Sequence, residues 1–414
     1  MADKDMIPRR DFMRNAAMLA GAKIRAGWLC MALAAAGLLW GALMALNPNG
    51  MQARVFFERG DSFFGDFFTV RTCAEYGYSN DKQEAFDTCY PALGPLMALP
   101  FPCTAKGGAV FTGVGILLWA LAFAELLRMK AKSLGGLEKA GLLVGCAMSS
   151  IMLHEVEWGN QVVYAAAAST LFVAWYDAEE RWRRYAAAAA LAVASVLKIT
   201  PAALGVAYLS RLRRAKGEIA FLVAAGIVLF AVPFAWYGGW DGLCTWFGNA
   251  MANAKAYVHR GAWGVVPIAR TVRLVMHMDV SAPWPGLSLE RAANVFMGGA
   301  CMLAACRAAW KGAGAMRNVL MLAVSAMLLV PGNMHIYTGL YLMPVLALQT
   351  VDGMDRVDAA CWFALLCPVQ IPLGAGCLNH PLANMAFLIL AARAFVAAFA
   401  AQSAHEAEKS RWLR

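Results

Sequence analysis

Apolar residues run along this chain in blocks of roughly 15 to 22, separated by short charged punctuation, the pattern of a polytopic helical membrane protein. The blocks predict spans over 27–46, 107–127, 140–153, 162–176, 185–198, a short one after Pro201, and 219–236. Further spans follow over 292–310, between 317 and 331, and over 340–348, 359–377 and 382–401. Pro201 ends or kinks the fifth, because proline carries no backbone donor. Lys23 and Arg25, the run Arg128 to Lys139, Arg181 to Arg184, Arg211 to Lys216, and Lys311 with Arg317 all fall on one side of this array. That asymmetry predicts cytoplasmic termini. The expectation is an all-α membrane protein of about twelve transmembrane helices in a single domain, 1–414. It would have a cytoplasmic lead-in at 1–26, outer loops at 47–106 and 237–290, and a cytoplasmic tail at 402–414.

Composition agrees with this reading. Of 414 residues, 61% are hydrophobic and 15% charged, against about 25% charged in an average soluble domain. The net charge of +10 sits at the ends of apolar blocks, so topology explains it, and no nucleic-acid-binding motif accompanies it. The first residues lack the short apolar core and small-residue cleavage site of a signal peptide. Eleven cysteines are scattered, with no zinc-like spacing. Cys73 and Cys89 share the first outer loop, where an oxidising compartment would permit a disulfide.

The longest polar interval, 60–102, is the candidate for chemistry. Seven acidic residues lie between Glu58 and Asp87, and Asp61 and Asp66 sit among Phe63, Phe64, Phe67 and Phe68. A carboxylate in such surroundings lies at a water–lipid boundary, where its basicity is tunable. Asp66 is either an N-cap or loop acid, or a general base for an acceptor hydroxyl; Asp61 is the fallback for that role. Ionisable groups at membrane depth are costly and call for a reason. His154, Glu155, Glu157, Asn160, Gln161, Lys198, His259, Arg260 and His335 all gather on the same predicted outer side. Lys198, at the outer end of an apolar helix, either snorkels to headgroups or holds a phosphate. Asn160 reads as a helix cap, and Gln161 as a residue facing a polar cavity. His335 either occupies a plain loop position or, near Tyr337, faces the site. Arg71, Arg260 and Arg270 either meet headgroups or clamp a phosphate.

Four stretches in order make the chain resemble the polyprenyl-phosphate-sugar-dependent glycosyltransferases of the GT-C superfamily, most closely glycosyltransferase family 87. They are GDFFTVRTCAEYGY with CYPALGPLMALPFP, WGNQVVYAAAASTLFVAWY, AAAAALAVASVLKITPAALGVAYLSRLRR, and PGNMHIYTGLYLMPVLAL. Two departures stand out: Ala92 replaces the second proline of the family's Tyr-Pro-Pro-Leu segment, and the helix start reads Gly-Asn-Gln. The resemblance implies a plasma-membrane enzyme that moves a sugar, mannose or a related hexose or pentose, from a polyprenyl-phosphate donor onto an envelope glycan, glycolipid or lipid-linked acceptor. It implies Asp66 or Asp61 as base and Lys198, Arg71 and Arg260 as phosphate-binding cations. Substrate contacts would come from His154, Glu157, Asn160, Gln161, His335 and Tyr337. Neither metal nor cofactor is implied, and the partners are donor, acceptor and membrane lipid, without nucleic acid. The rival readings are a polymerase or ligase of lipid-linked glycans, and a twelve-span carrier. Carriers typically hold their ionisable residues near the midplane in two related halves, and no internal repeat is visible here.

Overall fold

The computed structural model describes residues 23–24, 26–57, 63–78, 89–256, 262–276, 285–312, 315–332, 334–373 and 376–412. Asp61, His259 and Arg260 therefore lie outside the described residues. The described chain is a stack of helices. Extended pairing among these residues is confined to two antiparallel ladders of two-residue strands, Lys23–Ile24 with Met354–Asp355 and Pro372–Leu373 with Gly376–Cys377.

Among the described residues five helices are long and apolar enough to cross a membrane: Gly27–Leu46, Ala105–Lys130, Lys216–Tyr237, Leu289–Lys311 and Asn379–Ala400. A sixth candidate is Gly136–Ala147 with Ser150–Trp158, bent by 48°, where a span over 140–153 was expected. Ser149 accounts for the bend. Its hydroxyl donates to the Cys146 carbonyl at 2.7 Å and accepts the Met152 N–H at 3.3 Å, so one side chain serves both broken helix ends.

The other expected spans coincide with shorter pieces. Val162–Trp175 and Met316–Leu329 have 14 residues each, and Arg356–Leu366 has 11, against the roughly 20 a full crossing takes. Their position explains their length. Met316–Leu329 buries every side chain from Val319 to Leu329, and Val162–Trp175 buries all but three. Enclosed by protein, such helices need not match a bilayer. The helix Lys216–Phe234 is the opposite case: it buries Glu218, Pro233 and Phe234 and turns Ile227, Val228 and Val232 outward. Apolar side chains left bare in this way suit a lipid neighbour.

Val162–Trp175 packs between Ala105–Lys130 and Arg181–Leu197, forming the centre of the array. The Arg181–Leu197 helix stops at Lys198, whose backbone is extended, and a 3-10 helix, Thr200–Arg211, turns the chain back. Lys198 thereby stands at one end of the array. Arg184, Arg211 and Glu218 cluster at the other, about 20 Å away along the 17-residue helix.

Candidate active site

The helix carrying Asp66, Gly65–Tyr76, begins on a strained residue. Phe64 has φ of 63°, a left-handed backbone that a bulky residue adopts only when its surroundings impose it. Its N–H donates to the Glu157 carbonyl at 2.8 Å, and its ring lies where Gly108 and Gly159 have no side chain. A Cβ on either glycine would come within 2.9 Å of the Phe64 side chain. Gly159, itself at φ of 61°, ends the helix Ser150–Trp158. The same close approach therefore sets Asp66 in the first turn of its helix and brings Asn160 beside it.

Asp66 is ringed by neutral donors. Its Oδ2 accepts from Asn160 Nδ2 at 2.7 Å and from the Tyr337 hydroxyl at 2.7 Å. Its Oδ1 accepts from the Tyr90 hydroxyl at 3.3 Å. Hydrogen bonds to a charged group contribute about 1.5–3 kcal/mol each, so the two short bonds hold Oδ2 firmly, while Oδ1 carries one long bond. Burial, and then the Asp66 charge, push the Tyr90 and Tyr337 phenols well above their ordinary range, so both stay protonated as donors. Asn160 is fully buried. Its Oδ1 accepts the Val162 N–H at 2.9 Å while Nδ2 turns to Asp66 and to the Tyr337 hydroxyl at 3.0 Å, so it serves the helix start and the carboxylate together.

Lys198 closes the other side of Tyr90, with Nζ 4.7 Å from the ring centroid, a cation–π distance. Among the described residues it has no carboxylate ion pair and no hydrogen bond from its ammonium. Its position traces to Pro201. In a continuing helix the Leu197 carbonyl would accept from residue 201, which as proline has no N–H. Gln161 Nε2 donates to that carbonyl instead, at 2.9 Å. Gly94 makes room, since a Cβ there would fall 1.7 Å from Gln161 Oε1. Gln161 is thus a strut behind Lys198 rather than part of the cavity wall.

Asp66, Lys198, Tyr90, Tyr337 and His335 share one cavity of about 450 Å³, whose far wall is Trp246, Ala250 and Asn253 of the helix Gly239–Ala256. His335 stacks flat on Tyr337, centroids 5.2 Å apart, and Trp158 backs it at 5.5 Å. Beneath lies Glu155, fully buried, with neither oxygen bonded to a protein group among the described residues.

Other expected residues are placed elsewhere. His154 faces Glu157, Nδ1 to Oε2 at 3.3 Å, and lines a different, smaller cavity. Arg71 donates to the Phe101 carbonyl at 2.9 Å and pairs with Glu75 at 3.3 Å, outside the Asp66 cavity. Neither Cys73 nor Cys89 is in a disulfide, so the bridge that the sequence permits is not made; burial pushes the Cys73 thiol up to about 12. Tyr90, Trp158 and Tyr341 were not among the expected site residues. All three stand in stretches of the family resemblance: Tyr90 in the Cys-Tyr-Pro segment, Trp158 at the head of WGNQ, and Tyr341 four residues after Tyr337.

The profile of glycosyltransferase family 87 matches residues 89–331, well over half of the chain. The chain belongs to glycosyltransferase family 87. As a family 87 protein it is a membrane glycosyltransferase, with a sugar donor and an acceptor as substrates. No curated protein and no solved structure matches it. The matched stretch begins at the Cys89–Tyr90 wall, takes in Asn160, Gln161 and Lys198, and ends just before His335 and Tyr337; Asp66 precedes it.

Proposed function

We propose that this family 87 enzyme transfers one sugar, mannose or a related hexose or pentose, from a polyprenyl-phosphate donor to a hydroxyl of an envelope glycan or lipid-linked acceptor. The observation that carries the reading is one cavity holding a carboxylate with a lightly loaded oxygen and, across the Tyr90 ring, an ammonium with no carboxylate partner among the described residues. Asp66 takes the acceptor's proton on Oδ1 while Asn160 and Tyr337 hold Oδ2 still. The acceptor oxygen forms its bond to the anomeric carbon as that carbon's bond to the phosphate oxygen breaks. The electron pair leaves with the phosphate, whose charge Lys198 stabilises. Direct displacement of this kind inverts the anomeric centre.

The reading places the cavity at the outer face of the plasma membrane, with twelve membrane segments and both termini in the cytoplasm. Basic residues at the opposite end of the array support that orientation. Arg260 remains a second candidate for the phosphate and Asp61 a second candidate for the base; Arg71, tied to Phe101 and Glu75, is a weaker one.

The test supplies membranes bearing the protein with labelled polyprenyl-phosphate monosaccharides and host lipid and glycan extracts. Label appearing in a new product, from at least one monosaccharide donor, is the expected result. Transfer from lipid-linked oligosaccharides only would replace this reading with a glycan polymerase or ligase.

A further inference from the structure

Behind the Asp66 cavity lies a second one of about 180 Å³, enclosed by the helices Ser150–Trp158, Arg356–Leu366 and Asn379–Trp412. At about 30 Å³ per water it has the volume of about six waters, the scale of a single pyranose ring. The two cavities share a wall. In the segment 335–337, Ile336 faces the small cavity while His335 and Tyr337 face the large one. On the helix below, His154 lines the small cavity and Trp158, one turn on, lines the large one.

The lining excludes most ligand classes. Among the described residues no Lys, Arg, Asp or Glu faces this space, so none of them offers a phosphate or carboxylate a counter-ion there. Its three amide side chains are already committed to backbone. Gln370 donates to the Pro368 carbonyl, Asn379 bridges Ile371 and Val369, and Asn384 bridges Gly264 and Ala262. The ring nitrogens of two histidines remain. His380 lies against the Ala262 backbone, and its Nε2 is buried with no partner among the described residues. His154 turns Nδ1 towards Glu157, and in the tautomer that carries its proton there Nε2 is an acceptor. Two imidazole acceptors among apolar walls suit an uncharged hydroxyl-bearing ring. They do not suit an acyl chain, which would leave both imidazoles unsatisfied.

We propose that this cavity is a carbohydrate subsite, taking an uncharged sugar ring of the acceptor away from the ring being glycosylated, with His380 and His154 accepting its hydroxyls. The proposal rests on the glycosyl-transfer reading and deepens it: acceptor choice would be made behind the His335–Tyr337 wall, apart from the chemistry.

Two native cysteines report on the two cavities, because Cys367 lines the small one and Cys89 the large one. The full-length protein in lipid nanodiscs is alkylated with iodoacetamide, with each cysteine followed by mass spectrometry. The probes are methyl glycosides of glucose, galactose and mannose, and separately farnesyl phosphate. At twice its Kd, a glycoside seated in the subsite slows alkylation of Cys367 about threefold, as the factor 1 + [L]/Kd requires, and leaves Cys89 unchanged. His380→Leu abolishes that protection and His380→Gln, which keeps an acceptor, retains it; Ala383→Phe, which fills the space, abolishes it by a second route.

Failure of every glycoside to protect Cys367, or a Cys367 that never reacts, overturns the subsite. If farnesyl phosphate still protects Cys89, the donor reading survives that failure. Loss of farnesyl phosphate protection at Cys89 tells instead against the polyprenyl-phosphate donor.

Discussion

The two ends of the helix array treat charge in opposite ways. At the end holding Arg184, Glu218 is buried and paired, to Arg184 at 2.8 Å and to Arg211 at 4.0 Å, while Arg184 also binds the Ala178 and Glu179 carbonyls. On the last helix, Asn379–Trp412, Arg393 bonds both Asp355 and Asp358. Each of these charges has an opposite charge as its partner. At the other end Asp66 meets two phenols and an amide, and Lys198 meets an aromatic face. Ion pairs lock a carboxylate in its charged form and occupy its lone pairs. Neutral donors orient it without an opposite charge, and here leave Oδ1 with a single long bond. The first arrangement joins helices; the second is fit for proton transfer.

That contrast can be broken by substitution, from the largest effect down. Asp66→Asn keeps the shape and removes the base, so the initial transfer rate falls by about 10²- to 10⁴-fold, with a melting temperature close to wild type. Lys198→Ala removes the cation from the leaving group, and transfer falls by about 10²- to 10³-fold with weakened donor binding, read from donor titrations; Lys198→Arg restores part of the binding. Gln161→Ala orphans the buried Leu197 carbonyl. It costs about 1–3 kcal/mol of stability in thermal unfolding and raises the donor KM more than it lowers kcat, because Lys198 loses its strut. Arg184→Ala sharpens the comparison from the opposite end. It destabilises by about 1–3 kcal/mol, below the cost of breaking a fully buried pair because Arg184 is partly exposed, and leaves transfer per folded molecule unchanged.

Much of the fold was legible because hydrophobic periodicity and block boundaries report helices directly. Lys198–Pro201 was readable as a break for the same reason: proline's missing donor is written in the sequence. Span length was not readable, since an enclosed helix such as Val162–Trp175 and a lipid-facing one such as Lys216–Phe234 are equally apolar. At the site, Asp66 stood out by its aromatic setting and Asn160 by its place at a helix start. Gln161 was expected on a cavity wall, yet its partner, the Leu197 carbonyl, lies 36 residues away and only packing reveals it. His154 and Trp158 share a helix, but the rise of one turn between them puts them on opposite sides of the partition, with Glu157 bonded to His154. Arg71 looked like a candidate clamp because sequence shows its charge and not the carbonyl and carboxylate that occupy it.

The most direct test of the central claim, that Asp66 acts on a proton rather than holding the fold, measures donor binding and transfer on the same preparation of Asp66→Asn. The account predicts polyprenyl-phosphate-sugar affinity within a few-fold of wild type and transfer reduced at least about 10²-fold. Transfer within a few-fold of wild type, in a variant that binds the donor normally, would contradict it.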